Sequence, residues 1–243
     1  MASLPIDSSG RIQAPTSQIQ HSGASVNKLR QDRPHPHWIG PTPHNKFVVV
    51  PDLGTDEVVV YRFDANQHTL VRHGAGLVPP GSGPRHMKFH PNEKWAYVLN
   101  ELGLTVTAFR YDVERGSLER FQTVVALPES ELKNVETLGS EIRIHPSGKF
   151  VYAAIRGHDV VAVFQINEAD GTLTLIEREP VRGSWPRNFG IDPTGTWLLA
   201  AGAESDTVAV FQIDQESGRL TFNRQVINVP EPICVEFLSF PAR

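Results

Sequence analysis

The segment NKLRQDRPHPHWIGP, Asn27 to Pro41, holds two histidines, two arginines and three prolines within fifteen residues. An imidazole with an unperturbed pKa of about 6.5 can take or give a proton at neutral pH, so His35 and His37 are candidates for acid or base work. Lying two apart, they would share one face of an extended strand, a spacing that could also serve a metal. Neither a third histidine nor a carboxylate falls in register with them, so no metal site is expected. Further along, GPRH, LNEL, AIRG and PRNF contribute Arg85, Glu101, Arg156 and Arg187. Guanidinium groups offer planar forks suited to a carboxylate or phosphate, and a glutamate beside them stays ionised. Other chemistries lack their motifs. GSGP at 81–84 has no following Lys-Ser/Thr for a phosphate loop, and no G-x-S-x-G occurs to carry a serine nucleophile.

Residues from position 37 to 187 can meet only if the fold returns the chain to one place repeatedly, and the sequence repeats. Four segments superpose: RPHPHWIGPTPHNKFVVVPDLGTDEVVVYRFD, GPRHMKFHPNEKWAYVLNELGLTVTAFRYD, GSEIRIHPSGKFVYAAIRGHDVVAVFQIN and WPRNFGIDPTGTWLLAAGAESDTVAVFQID. Each has a proline turn at Pro43, Pro91, Pro146 or Pro193, giving intervals of 48, 55 and 47 residues, the longest absorbing the polar insertion PESELKNVETLGS. Each continues through an aromatic-led strand, a polar turn, an alternating strand and a fourth apolar stretch. Four short strands per unit of about 40 to 50 residues, without helical periodicity, describe the blades of an all-β β-propeller; a tandem sandwich would need longer units.

The opening ASLPIDSSGRIQAP matches the outer strands of a blade, and the closing ICVEFLSF matches an inner strand alone. One propeller domain is therefore expected over 1–243, with four complete blades and partial blades at both ends. Its parts are outer strands and connector at 1–34, blades at 35–82, 83–137, 138–184 and 185–232, and a lone inner strand at 233–243.

In a propeller the equivalent positions of the repeats form rings at one mouth of the central channel. Aligned on the prolines, one ring carries His37, Arg85, Ser140 and Arg187, and a second carries Leu53, Glu101, Arg156 and Ala203. Structural positions keep their character, as Phe47, Trp95, Phe150 and Trp197 do, whereas these rings vary in charge. That is the pattern of an asymmetric site on a symmetric frame: a pocket for an anionic ligand with one proton-transfer group. The competing reading is that the arginines and Glu101 are structural salt bridges lining the channel. His90 and His145 precede turn prolines and read as structural, and Asp52 and Asp56 as turn caps.

Composition narrows the partners. The 23 basic and 27 acidic side chains give a net charge of −4, which offers no nucleic-acid footprint and no polybasic membrane face. A single cysteine, Cys234, excludes an intramolecular disulfide and a thiolate metal cluster. The start MASLPIDSSG lacks the pattern of a secretion signal, so a cytoplasmic protein with a small-molecule partner is expected.

RQDRPHPHWI, PDLGTDEVVVYRFD, GPRHMKFHPNEKWAYVLNEL, HPSGKFVYAAIRGHD and WPRNFGIDPTGTWLLAAG resemble the lactonase family of seven-bladed β-propellers, from about Arg30 to the end of the repeats. That family includes propeller-type 6-phosphogluconolactonases and 3-carboxy-cis,cis-muconate cyclases. The resemblance implies lactone chemistry on a small anionic lactone or carboxylate, without metal or organic cofactor. Hydrolysis of a sugar lactone such as 6-phosphogluconolactone is the leading expectation; the alternatives are muconate lactonisation and a shortened, non-catalytic binding module. In the cyclase branch the site is one histidine, two arginines and one glutamate, which fall on His37, Arg85, Arg156 and Glu101. Arg187 and His35 are supporting substrate-binding candidates. The sequence departs from the family in length, beginning inside a blade at its outer strands.

Overall fold

The runs FVVVPD, WAYVLN, FVYAAIR and WLLAAG are apolar on both faces, rich in β-branched and aromatic residues, and bounded by turns, the pattern of strands covered on two sides. In the computed structural model, which describes residues 1–133 and 135–238, each is the second strand of a four-stranded antiparallel sheet. Blade one comprises Gly40–Pro41, Phe47–Asp52, Glu57–Asp64 and Thr69–Leu77. Blade two comprises Pro84–Phe89, Trp95–Asn100, Thr105–Asp112 and Ser117–Val125. Blade three comprises Leu138–Ile144, Phe150–Arg156, Val160–Ile166 and Leu173–Pro180, and blade four Pro186–Ile191, Trp197–Gly202, Thr207–Ile213 and Leu220–Asn228. The inner strands of blades two, three and four stand side by side around the channel, with blade one's second strand against blade two.

The cores lie between blades. Tyr97, Leu99, Ile142, Val151 and Phe164 fill the space between blades two and three; Phe150, Tyr152, Phe189 and Phe211 fill that between three and four. Side chains also lock neighbouring blades together. His90 Nδ1 accepts from Asn92 N–H, so Nε2 carries the proton and donates to Gly148 O at 2.8 Å; His145 repeats the device on Gly195 O. Gly148, at φ 75°, is in the left-handed region, and a Cβ there would sit 2.8 Å from His90 Nε2. Tyr97 and Tyr152 donate to Gly171 O and Gly218 O, each at 2.8 Å.

At the start of the chain, Ala2–Ser3 pairs with Ser17–Gln18 and Ile6 bridges Ile12, forming a hairpin whose ends, Met1 and Ile19, pack on Val50, Val59, Tyr61 and Leu70 of blade one. The segment expected as a lone inner strand differs: residues 233–238 form no ladder, and 239–243 lie outside the described residues. Among the described residues no second strand stands beside it. It is held instead by Val235 N–H donating to Asn188 Oδ1 at 2.8 Å and by an ion pair of Glu236 with Arg143 at 2.5 Å. Among the described residues no helix is long and apolar enough to cross a membrane.

Candidate functional site

At the channel mouth each inner strand breaks register. The ladder of blade two skips from Pro84 to His86, leaving Arg85 as the bulged residue; blade four skips from Pro186 to Asn188 around Arg187, and blade three from Gly139 to Ile142 across Ser140. In blade one, three residues from His37 to Ile39 oppose two, between the Pro36–Asp52 bridge and the Gly40–Val49 pair. The prolines of this segment cannot donate to a ladder, which confines regular pairing to Gly40–Pro41. A bulge re-aims its side chain and ends local pairing. The ring His37, Arg85, Ser140 and Arg187 is thus a ring of bulges.

The bulges do not all open on the same space. A cleft of about 580 Å³ at this mouth is lined by His35, His37, Leu53, Glu101, Arg156 and Arg187, together with Leu29, Arg30, Asp32, Arg33, Glu136, Leu138 and Trp185. Arg85 is not on its wall. It is 2% exposed, behind Glu101, and its donors go to Glu101 Oε2 at 2.9 Å, to Ser140 O and toward His86 Nε2 at 3.0 Å. Ser140 is fully buried, its hydroxyl donating to Pro186 O at 2.6 Å.

Glu101 is the hub. Arg30 Nη2 donates to Oε1 at 2.6 Å, while Arg85 Nε and Arg156 Nη2 donate to Oε2 at 2.9 and 3.1 Å. Burial alone would raise this carboxyl, but Arg156, Arg85 and Arg30 outweigh it and hold it below the usual glutamate value. With both oxygens engaged, Glu101 is a fixed anion and not a proton carrier, and it makes no hydrogen bond to His37. The salt bridges expected of Glu101 are thus present, on the wall of the cleft. Burial, and then the charge of Arg156, draw Arg85 down to about 10, still cationic at neutral pH. Arg156 also donates to Gly139 O at 2.9 Å and lies over the Trp185 ring, 5.2 Å from its centroid.

Behind Arg85 stands a further polar pair. A guanidinium only donates, so His86 Nε2 must accept and the proton sits on Nδ1, 3.2 Å from Glu141 Oε1. Asn188 donates to Glu141 Oε2 at 2.6 Å. Burial lowers the His86 pKa, against the opposing influence of Glu141.

His37 is different. Its backbone N–H donates to Pro51 O at 3.1 Å, but among the described residues neither ring nitrogen has a protein hydrogen-bond partner. The ring meets that of His86 edge-on, centroids 5.2 Å apart. Although part of the residue is exposed, burial of the rest, followed by the charge of Arg85, pushes its pKa down to about 4, with Glu101 acting the other way. The imidazole is neutral and free to accept at neutral pH. His35, on the cleft wall, has Nε2 3.7 Å from Asp32 Oδ1. Among the described residues no group of three or more His, Cys, Asp or Glu is disposed to hold a metal ion.

The strand entry that carries both histidines is fixed from below. Asp52 Oδ1 accepts from His35 N–H at 2.7 Å and Gly54 N–H at 3.0 Å, and Oδ2 meets His21 Nδ1 at 2.5 Å; Tyr61 Oη lies 2.7 Å from His21 Nε2. All three side chains are buried. Asp56 ties its turn to the connector between blades one and two, accepting from Gly81 and Gly83 N–H at 2.6 and 2.7 Å.

Arg30 and Arg33, at the end of the connector, also line the cleft. Repeat alignment cannot find them, because the connector has no counterpart in the other blades. Trp185 was findable. Two residues before the bulge ring, His35, Gly83, Leu138 and Trp185 form another ring, and three of its members line the cleft. Trp185 has φ 58°, where blade two has Gly83 at φ 63°; a bulky residue in this region is strained.

Comparison with known proteins agrees with this architecture. The chain is 40% identical over 235 residues to a 6-phosphogluconolactonase of Bacillus subtilis, covering 97% of this chain and 66% of the relative. It is 34% identical over 182 residues to an uncharacterized Staphylococcus aureus protein, spanning 52% of that relative's length. Among solved structures, the periplasmic gluconolactonase of Pseudomonas aeruginosa superposes with a TM-score of 0.88 at 29% identity, covering 98% of this chain and 66% of that one. A Lactobacillus plantarum protein superposes with a TM-score of 0.90 at 32% identity, over 97% of this chain and 67% of that one. A family model described as lactonase, 7-bladed beta-propeller, matches residues 1–237, and the chain belongs to that family.

Proposed function

We propose that the protein hydrolyses a small anionic sugar lactone of the 6-phosphogluconolactone kind. The observation that carries this reading is the unengaged, neutral His37 ring on the rim of a cleft in which Glu101 holds the guanidinium groups of Arg30 and Arg156 in place. A lactone carbonyl seated there would be attacked by water, with His37 taking the proton as the new C–O bond forms. The oxyanion that develops on the carbonyl oxygen would be met by Arg156, which Glu101 and Gly139 O hold in place before the substrate arrives, and by Arg187. Collapse breaks the bond from the carbonyl carbon to the ring oxygen, and the proton on His37 passes to that oxygen. The product is the open-chain hydroxy acid. Arg85 acts from behind, fixing Glu101 and through it Arg156, and His35 faces the sugar from the rim. The relatives' names support the substrate class: one is a 6-phosphogluconolactonase, another a gluconolactonase.

The test is proton release from 6-phosphogluconolactone by purified protein above the spontaneous rate, with 3-carboxy-cis,cis-muconate as the competing substrate. His37→Ala is expected to lower turnover by a factor of about 10² to 10⁴. Turnover in the variant equal to that of the wild type, or turnover of the muconate alone, overturns the assignment.

A further inference from the structure

Arg30 stands apart from the other guanidinium groups on Glu101. It lies on the connector, outside every repeat, and reaches Glu101 Oε1 at 2.6 Å, the oxygen that Arg85 and Arg156 leave unused. The Arg85 and Arg156 side chains are 3% and 5% exposed and spend further donors on Ser140 O and Gly139 O; that of Arg30 is 40% exposed. Of the three guanidinium groups on Glu101, that of Arg30 is the one open to a solute entering the cleft.

The connector presents Arg30 rigidly. Asn27 Oδ1 accepts from Leu29 and Arg30 N–H at 3.1 and 3.2 Å, and Gln31 N–H closes the turn on Asn27 O at 2.7 Å. Gln31 is fully buried and donates from Nε2 to Leu53 O at 2.8 Å, tying the turn to blade one. Across the mouth, Arg30 Nη1 lies 4.0 Å from Glu136 Oε1, on the insertion that lengthens the middle repeat interval.

Charge along the wall gives this placement its consequence. Four arginines face three carboxylates, Asp32, Glu101 and Glu136. Without Arg30 the count is even and Glu101 Oε1 is bare toward the cleft. In the lactonase reading the oxyanion of the water-attack step is met by Arg156 and Arg187, so that step does not call on this residue's cation. A second, permanent anion on the substrate does.

We infer that Arg30 is a specificity-determining residue, selecting substrates that carry a phosphate monoester or carboxylate away from the lactone carbonyl, by covering Glu101 and presenting its remaining N–H donors to that anion. The inference rests on the lactonase reading of the same cleft. Glu136 competes for the same guanidinium and sets how tightly it is held back.

The experiment compares 6-phosphogluconolactone with unphosphorylated gluconolactone. Arg30→Gln is expected to lower kcat/KM for the phosphorylated lactone by about 10- to 100-fold, through KM more than kcat. The loss on gluconolactone is smaller, so the preference between the two falls at least about tenfold. Arg30→Lys keeps the charge and restores part of the preference. Glu136→Gln moves KM for the phosphorylated lactone the other way, downward by no more than about fivefold. Equal losses on both lactones in Arg30→Gln, or a rise in KM with Glu136→Gln, overturn the inference. A wild-type protein inactive on both lactones sinks the hydrolase reading alone. Calorimetry with 6-phosphogluconate and gluconate then still decides Arg30, which must carry the preference for the phosphorylated acid.

Discussion

Glu101→Gln keeps the size of the side chain and removes the charge that three guanidinium groups share. Arg85 and Arg156, at 3% and 5% exposure, cannot be solvated where they lie. Removing one partner of a buried ion pair costs about 3–5 kcal/mol, because a buried charge is left uncompensated. Two facts point to the lower end. Ser140 O and Gly139 O still accept from Arg85 and Arg156, and the glutamine keeps one oxygen acceptor. Arg30, being exposed, adds less than about 1 kcal/mol. At roughly 2–4 °C per kcal/mol for a domain of this size, the melting temperature at pH 7 should fall by about 6–12 °C. The pH dependence supplies an independent check. The folded carboxyl is held below its ordinary value of 4.5, so its stabilisation is present above that value and is lost as pH falls through the folded one. The gap between wild type and variant should therefore shrink on acidification below about pH 4. Differential scanning calorimetry across pH 3.5–7.5 reads both. A variant melting within about 2 °C of the wild type at pH 7, or a gap that widens in acid, would refute the assignment of Glu101 as the charge hub.

Two further outcomes follow from neighbouring groups. Because protonation of His37 removes the base, kcat/KM for a lactone should hold its neutral-pH value through pH 5.5 and fall toward pH 4, the value to which its folded pKa is drawn; an acid limb at the ordinary imidazole value of 6.5 contradicts this. Asp52→Asn weakens the acceptor for His35 and Gly54 N–H and breaks the pair with His21, and should cost about 1–3 kcal/mol in urea denaturation, with lowered turnover because the histidine strand is anchored there. Unchanged turnover in a destabilised variant would separate that anchor from the site.

Most of the fold was legible in the sequence because each blade repeats its own turn and strand chemistry. Pro91 and Pro146 mark the same corner, and His90 and His145 before them make the same bond to the next blade. The closing segment was legible only in its apolar pattern. A run such as ICVEFLSF has the composition of an inner strand, but a strand exists only with a partner to exchange hydrogen bonds, and residues 233–238 find Asn188 and Arg143 instead.

For the site, registration found His37, Glu101, Arg156 and Arg187 on one cleft, since equivalent positions in a propeller converge whatever residue occupies them. It could not tell which members of a ring face the space and which turn behind it. Arg85 and Arg187 share a register position and a bulge, yet one is buried against Glu101 and the other lines the wall. The difference lies in what stands on the neighbouring strand: Asn100–Glu101 beside Arg85, Gly202–Ala203 beside Arg187. A carboxylate captures its guanidinium, and a small residue leaves it free.

That contrast also explains how one ring can be structural and functional together. A cation near a reacting carbonyl is useful only if its position is fixed before the substrate arrives, and a long arginine side chain is costly to fix by contact with solvent alone. Glu101 and the Trp185 ring both hold Arg156, while Arg85 shares the same carboxylate oxygen and Arg30 takes the other. The buried ion cluster, a weak contributor to net stability compared with apolar packing, is in this molecule the device that keeps Arg156 in place on the cleft wall.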